Sequence, residues 1–159
     1  MSGDVVYQSS LAWNATRPAT VIITCVDGRW YSHFQEFVRV RLDAGSETDF
    51  VAVPGGIEPL ALMDLDPRDF EFLRHRLQAL VDAHGTRRIV AIAHQDCAWY
   101  LARSPGPATN MRDLQIADLR RAAAVLREMF ADVTVEIYYA RLSDTPSKQV
   151  VFESIPTLL

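Results

Sequence analysis

The sequence predicts an α/β fold: a central, mainly parallel sheet of four to five strands flanked by helices. Three observations lead there. Two runs, Ala19 to Thr24 and Arg88 to Ala93, are apolar and β-branched without helical period, the pattern of strands buried on both faces. Amphipathic helical stretches alternate with these and with two or three further β-rich runs, and strand–helix–strand order implies parallel pairing with helices on both faces. No internal repeat or Pro/Gly/Ser linker divides the 159 residues, so residues 1–159 read as one domain.

Along the chain, the first strand ends at Thr24. Ser32 to Ala44 reads as a helix with Phe34, Phe37, Val38 and Val40 to Leu42 on its apolar face and Gly45 as its stop. Asp49 to Val53 is a second short strand, halted by Pro54-Gly55-Gly56. Asp66 is an N-cap followed by Pro67 at the first helical position, with Asp69 and Glu71 favouring the positive end of the helix dipole. Phe70, Leu73, Leu77, Leu80 and Val81 follow at helical spacing, and Gly85 closes that helix. After the third strand, Thr109 or Asn110 opens a long helix carrying Leu114, Leu119, Ala122, Ala123, Leu126 and Met129. Val133 to Ala140 is a fourth strand and Gln149 to Glu153 a fifth.

Composition narrows the function. Hydrophobic residues make up 49% and charged residues 23%, as in ordinary globular proteins. The net charge of −4 argues against nucleic acid, since phosphate binding needs clustered Lys and Arg. Arg87-Arg88 and Arg120-Arg121 read as solvated helix ends. No apolar run approaches the roughly 20 residues of a membrane span, and the first residues carry no secretory pattern. The expected compartment is the cytoplasm, where the two cysteines stay reduced and serve as metal ligands, catalytic groups or small buried hydrophobes.

Both cysteines lie where a parallel sheet binds ligands, beyond the carboxyl ends of strands. The first strand runs into Cys25-Val26-Asp27-Gly28-Arg29 and the third into His94-Gln95-Asp96-Cys97. If those strands are neighbours, two sulfurs and one imidazole converge, a donor set suited to zinc with one coordination position left over. Each residue also has a plainer reading: Cys25 as a buried hydrophobe, His94 as a hydrogen-bonded strand end, Asp27 and Arg29 as a surface ion pair. The coincidence of all three donors at equivalent strand ends favours metal. A phosphate-cradling cysteine loop, a G-x-G-x-x-G dinucleotide site and a redox C-x-x-C pair are not matched. Among the other conspicuous residues, His33 reads as a surface or boundary residue, with a proton relay as the alternative; His75 and His84 read as solvated; and Trp13 and Trp30 read as core, with a subunit interface as the alternative.

At these positions the sequence resembles the β-class carbonic anhydrases, whose pattern is Cys-x-Asp-Ser-Arg after one strand and His-x-x-Cys after another, with a glycine pair between. The matching residues are Cys25, Asp27, Arg29, His94 and Cys97, with Gly55-Gly56 in the intervening loop. The resemblance implies Zn2+ held by Cys25, His94 and Cys97, and attack of a zinc-bound hydroxide on carbon dioxide to give bicarbonate. Asp27 would orient the hydroxide or become a fourth ligand, Arg29 would hold Asp27, and Gly55-Gly56 would shape the substrate side. It also implies a homodimer or higher homo-oligomer. Three departures stand out: Gly28 replaces the serine, Ala52-Val53-Pro54 replaces Arg-Asn-Ala, and Ala98-Trp99-Tyr100 follows Cys97, where small residues are common. The ligand set also suits two alternatives, a hydrolase of carbon disulfide or carbonyl sulfide and a zinc protein without turnover.

Overall fold

The computed structural model describes residues 3–42, 47–103 and 111–157. Five strands form one sheet: β1 (Thr20–Thr24), β2 (Asp49–Ala52), β3 (Arg88–His94), β4 (Thr134–Leu142) and β5 (Val150–Ser154). Their order is β2-β1-β3-β4-β5; all neighbours run parallel except β4 and β5. The helices are α1 (Gly28–Val40), α2 (Glu58–Ala61), α3 (Pro67–His84), α4 (Ala98–Arg103) and α5 (Met111–Met129).

The double burial expected of the apolar strands is observed. Along β1, Val21 and Ile23 face one core with α2, α3 and α5, while Ile22 faces the other with α1. β3 alternates the same way, Ile89 and Ala91 against Val90 and Ile92. A strand with a helical layer on each side has no solvated face, so it carries no polar alternation. Phe34, Leu73, Leu77, Leu119 and Leu126 are essentially inaccessible to water. Burying a side chain of that size stabilises by about 1.5–3 kcal/mol, so these helix faces hold the layers together.

The cap of α3 matches the sequence reading: Asp66 accepts from the Asp69 backbone N–H, Pro67 opens the helix, and Gly85 ends it at φ 69°. Other expectations need correction. α1 begins at Gly28 rather than Ser32, because Asp27 caps it, and its buried face is Trp30, Phe34 and Val38. Val40 is exposed, so the apolar stripe is narrower than expected; Ala44 and Gly45 lie outside the described residues, as do Thr109 and Asn110. Trp13 is 91% exposed rather than in the core. His84 is not simply solvated, since its Nδ1 lies 2.7 Å from Asp49 Oδ2 and ties the end of α3 to the start of β2. Arg88 belongs to β3 and pairs with Glu136 of β4 across 2.6 Å, so it is no solvated helix end. α2 and α4 are too short to show a period.

The sheet order positions everything that follows. The chain leaves β1 for β2 on one side and returns to β3 on the other, so the strand order reverses between β1 and β3. At such a reversal the two following loops diverge and leave a crevice.

Candidate metal centre

β1 delivers Cys25 and β3 delivers His94 to that crevice. Thr24 is level with Ile92, so both chains leave the sheet at nearly the same height. After His94 the backbone turns sharply. Asp96 takes φ 56°, a left-handed conformation that Asp tolerates better than most residues. The turn returns Cys97 toward β1, and the Cys97 carbonyl accepts the Leu101 N–H at 3.0 Å as α4 begins.

The two Sγ atoms and a ring nitrogen of His94 lie within 4.8 Å of one another, and the sulfurs are 3.8 Å apart. All three residues are buried. His94 Nδ1 lies 2.7 Å from the Gln95 carbonyl oxygen, which can only accept, so Nδ1 carries the proton. Nε2 therefore keeps its lone pair, and it is buried without a partner. The ring cannot easily turn away, being packed against Trp30 at 4.9 Å and Phe34 at 6.1 Å between centroids. A buried, unpaired acceptor beside two thiols is costly unless something electrophilic sits there. The three donors fit a metal ion.

The electrostatics agree. The contact with the Cys97 side chain lowers the Cys25 thiol well below its ordinary range, against the opposing effect of burial, and the backbone amides of Asp27 and Gly55 add to the lowering. Cys97 is pushed up by the same contact and by burial. The pair thus shares a proton that a bound cation would expel.

Asp27 and Arg29 sit beside this cluster but outside it. The Asp27 carboxylate accepts from the Arg29 backbone N–H at 3.0 Å and from the guanidinium at 2.6 Å. The Arg29 hydrogen bonds hold its carboxyl down at about 2. Arg29 also reaches the Asp96 carbonyl at 3.4 Å, bracing the β1 loop against the β3 loop. Gly55 and Gly56 adopt φ 75° and 63° and lie against the end of β1. A Cβ on Gly56 would stand 3.1 Å from the Cys25 nitrogen, and one on Gly55 would overlap the Trp99 indole. All the expected site residues therefore meet in one place. Gly28, where the resemblance expects serine, has open space around it.

Some contributors went unnoticed in the sequence. Gln115 of α5 is buried and donates to the His94 carbonyl at 3.0 Å. Glu58 accepts from the Trp99 indole N–H at 3.2 Å and pairs with Arg103 at 3.2 Å. Asp118 accepts from the Tyr100 hydroxyl at 3.2 Å and from Arg121 at 3.0 Å. Burial raises both carboxyls above the usual range. For Gln115 and Asp118 the available signal was a polar residue on the apolar face of α5, among Met111, Ile116, Leu119 and Ala122.

Comparison with known proteins gives the same direction. No curated protein matches the chain. Its fold is similar to the crystal structure of β-carbonic anhydrase isoform I from the protozoan Trichomonas vaginalis, with a TM-score of 0.58 at 15% identity, covering 94% of this chain and 88% of that one. Residues 15–150 match the model of a family described as "Putative carbonic anhydrase". With most of its length inside that match and its sheet arranged as in a β-carbonic anhydrase, the chain belongs to this carbonic anhydrase family.

Proposed function

We propose that the chain is a zinc-dependent lyase that reversibly hydrates carbon dioxide to bicarbonate. The observation that carries this reading is the convergence of two sulfurs on the partnerless His94 Nε2. Cys25, His94 and Cys97 would hold the ion; this soft donor set favours Zn2+ over magnesium or calcium. When bound, zinc would supply an acidified water as a nucleophile at neutral pH.

The protein's own residues do the rest. Asp27, held ionised by Arg29, would have lone pairs left with which to orient the reacting water. Arg29 occupies the carboxylate in a fork and keeps it away from the three donors. Gly55-Gly56 lets the turn approach Cys25 and form the substrate side. The mouth beyond Cys25 is a cavity of about 370 Å3 lined by Val26, Asp27, Pro54, Ala98, Trp99 and Ala102. Its carbon-rich walls suit an uncharged linear molecule, which also supports a second reading, hydrolysis of carbon disulfide or carbonyl sulfide. The proposal includes a homodimer or larger homo-oligomer working in the cytoplasm; among the described residues no helix is long and apolar enough to cross a membrane.

Stopped-flow carbon dioxide hydration on zinc-loaded protein tests the lyase. A rate above buffer that disappears on chelation is expected, and a rate equal to buffer overturns it. Consumption of carbon disulfide by the same preparation separates the second reading.

A further inference from the structure

The chain has two cysteines in all, and the fold brings both into one contact, Sγ to Sγ at 3.8 Å. Their surroundings differ. Cys25 lines the open cavity of about 370 Å3 beyond the end of β1, together with Val26, Pro54 and Trp99. Cys97 is 1% exposed, is not part of that lining, and clusters with Tyr100 and Met111. A small solute entering the cavity therefore meets Cys25 and not Cys97.

Neither cysteine belongs to a strand or a helix. Cys25 follows the last residue of β1, and Cys97 sits between Asp96, at φ 56°, and the start of α4. A disulfide holds its sulfurs about 2 Å apart, so closing the pair takes a movement of about 2 Å that side-chain rotation and these two irregular segments can share. The oxidation balances with a peroxide as oxidant. The Cys25 sulfur attacks one peroxide oxygen; an S–O bond forms, the O–O bond breaks, and the departing oxygen leaves as water. The Cys97 sulfur then attacks the sulfenic sulfur of Cys25, forming the S–S bond and releasing the second oxygen as a second water. The two thiols supply two protons and two electrons to the peroxide; from two metal-bound thiolates the protons come from solvent. The disulfide retains neither anionic donor. One neutral imidazole, His94, is then left, too little to hold a zinc ion.

We propose that Cys25 and Cys97 form a redox modification site: a peroxide-class oxidant joins them as a disulfide, Cys25 attacking and Cys97 resolving, and the disulfide excludes the metal until a thiol reductant reopens it. This inference rests on the reading of Cys25, His94 and Cys97 as metal donors and gives that site a reversible off state.

The test adds hydrogen peroxide to the zinc-loaded full-length chain beside a chromogenic zinc chelator, with a peroxide-free control, and follows released zinc and intact mass together. The mass should fall by about 2 Da, digestion without reductant should yield a peptide linking Cys25 to Cys97, and one zinc should appear for each disulfide. Dithiothreitol followed by fresh zinc should restore both mass and metal. The metal-free chain should form the same disulfide. In metal-free Cys97→Ala, dimedone should trap a sulfenic acid on Cys25; in metal-free Cys25→Ala, trapping at Cys97 should be about tenfold slower or more, since access to the oxidant is lost. The wild-type measurements carry the test where either variant fails to fold. Disulfides between chains, over-oxidised sulfur without the linked peptide, or a linked chain that keeps its full equivalent of zinc each overturn the proposal. Equal trapping in the two variants overturns the choice of Cys25 as attacker. A reduced chain that never takes up zinc removes the donor reading and this inference with it. Zinc released on disulfide formation from a protein that does not hydrate carbon dioxide removes the lyase alone.

Discussion

His94 is held by its neighbours before any ion arrives: Gln95 fixes its proton, Trp30 and Phe34 fix its plane, and Gln115 braces its carbonyl. Such preorganisation means that losing one donor should damage binding more than structure. Cys25→Ser should lose most of the zinc measured by elemental analysis, because a neutral hydroxyl is a poor substitute for a thiolate. Asp27→Asn should keep a full equivalent of zinc and lose most hydration activity, with little change in stability, since Asn also caps helices well. Zinc at full occupancy in Cys25→Ser would show the assignment of donors to be wrong. At Gly55 the constraint is steric and conformational together. Gly55→Ala should cost about 1–3 kcal/mol in urea unfolding, from the positive φ and from collision with Trp99. Combining it with Trp99→Ala should recover the collision part only, giving a non-additive cycle.

Among the elements, α3 was fully legible because its signals are local: a capping Asp66, Pro67, four turns of apolar spacing and Gly85 in the left-handed region. Asp66→Ala should therefore destabilise by about 1 kcal/mol or slightly less, as the cap hydrogen bond is long at 3.4 Å. Thermal unfolding would show it as a modest drop in Tm. α1 was placed four residues late for a physical reason. Asp27 serves both the site and the helix, and a residue read for its chemistry was not read for its cap. α2 and α4 span 4 and 6 residues, too short for a hydrophobic period, and Glu58 and Asp118 hold Trp99, Tyr100 and Arg103 between them. The exposed Trp13 shows the converse: a large aromatic is buried only if the fold supplies a place for it.

For the whole molecule, ion pairing and burial give opposite pH dependences. Arg88 pulls Glu136 below the ordinary range, and Arg141 and Arg112 do the same to Glu153. Groups depressed in the folded state contribute stability above their unfolded value of about 4.3, and that stability fades as pH falls through the folded value. Burial raises Glu58 and Asp118. Their contribution is complete below about 4 and fades as pH rises through the folded values. Asp118→Asn keeps an oxygen for the Tyr100 hydroxyl and cannot ionise. Its unfolding free energy should fall less than that of the wild type between about pH 4.5 and 8, measured with denaturant on metal-free protein. An identical slope in both proteins would show that folded Asp118 is already ionised at the lower end of that range and is not raised by its burial.

Local order was determined by sequence alone: doubly buried strands, the caps and stop of α3, and cysteines and histidine at the ends of two strands. These follow from short-range sterics, hydrogen bonding and side-chain period, which a few neighbouring residues encode. The tertiary structure decided which strands lie side by side. Only the β1–β3 adjacency brings Cys25 to His94 and Cys97, and only the packing of α2, α4 and α5 buries Glu58, Asp118 and Gln115. Such contacts join residues far apart in the chain, and their energy comes from surfaces that exist only once the layers have closed.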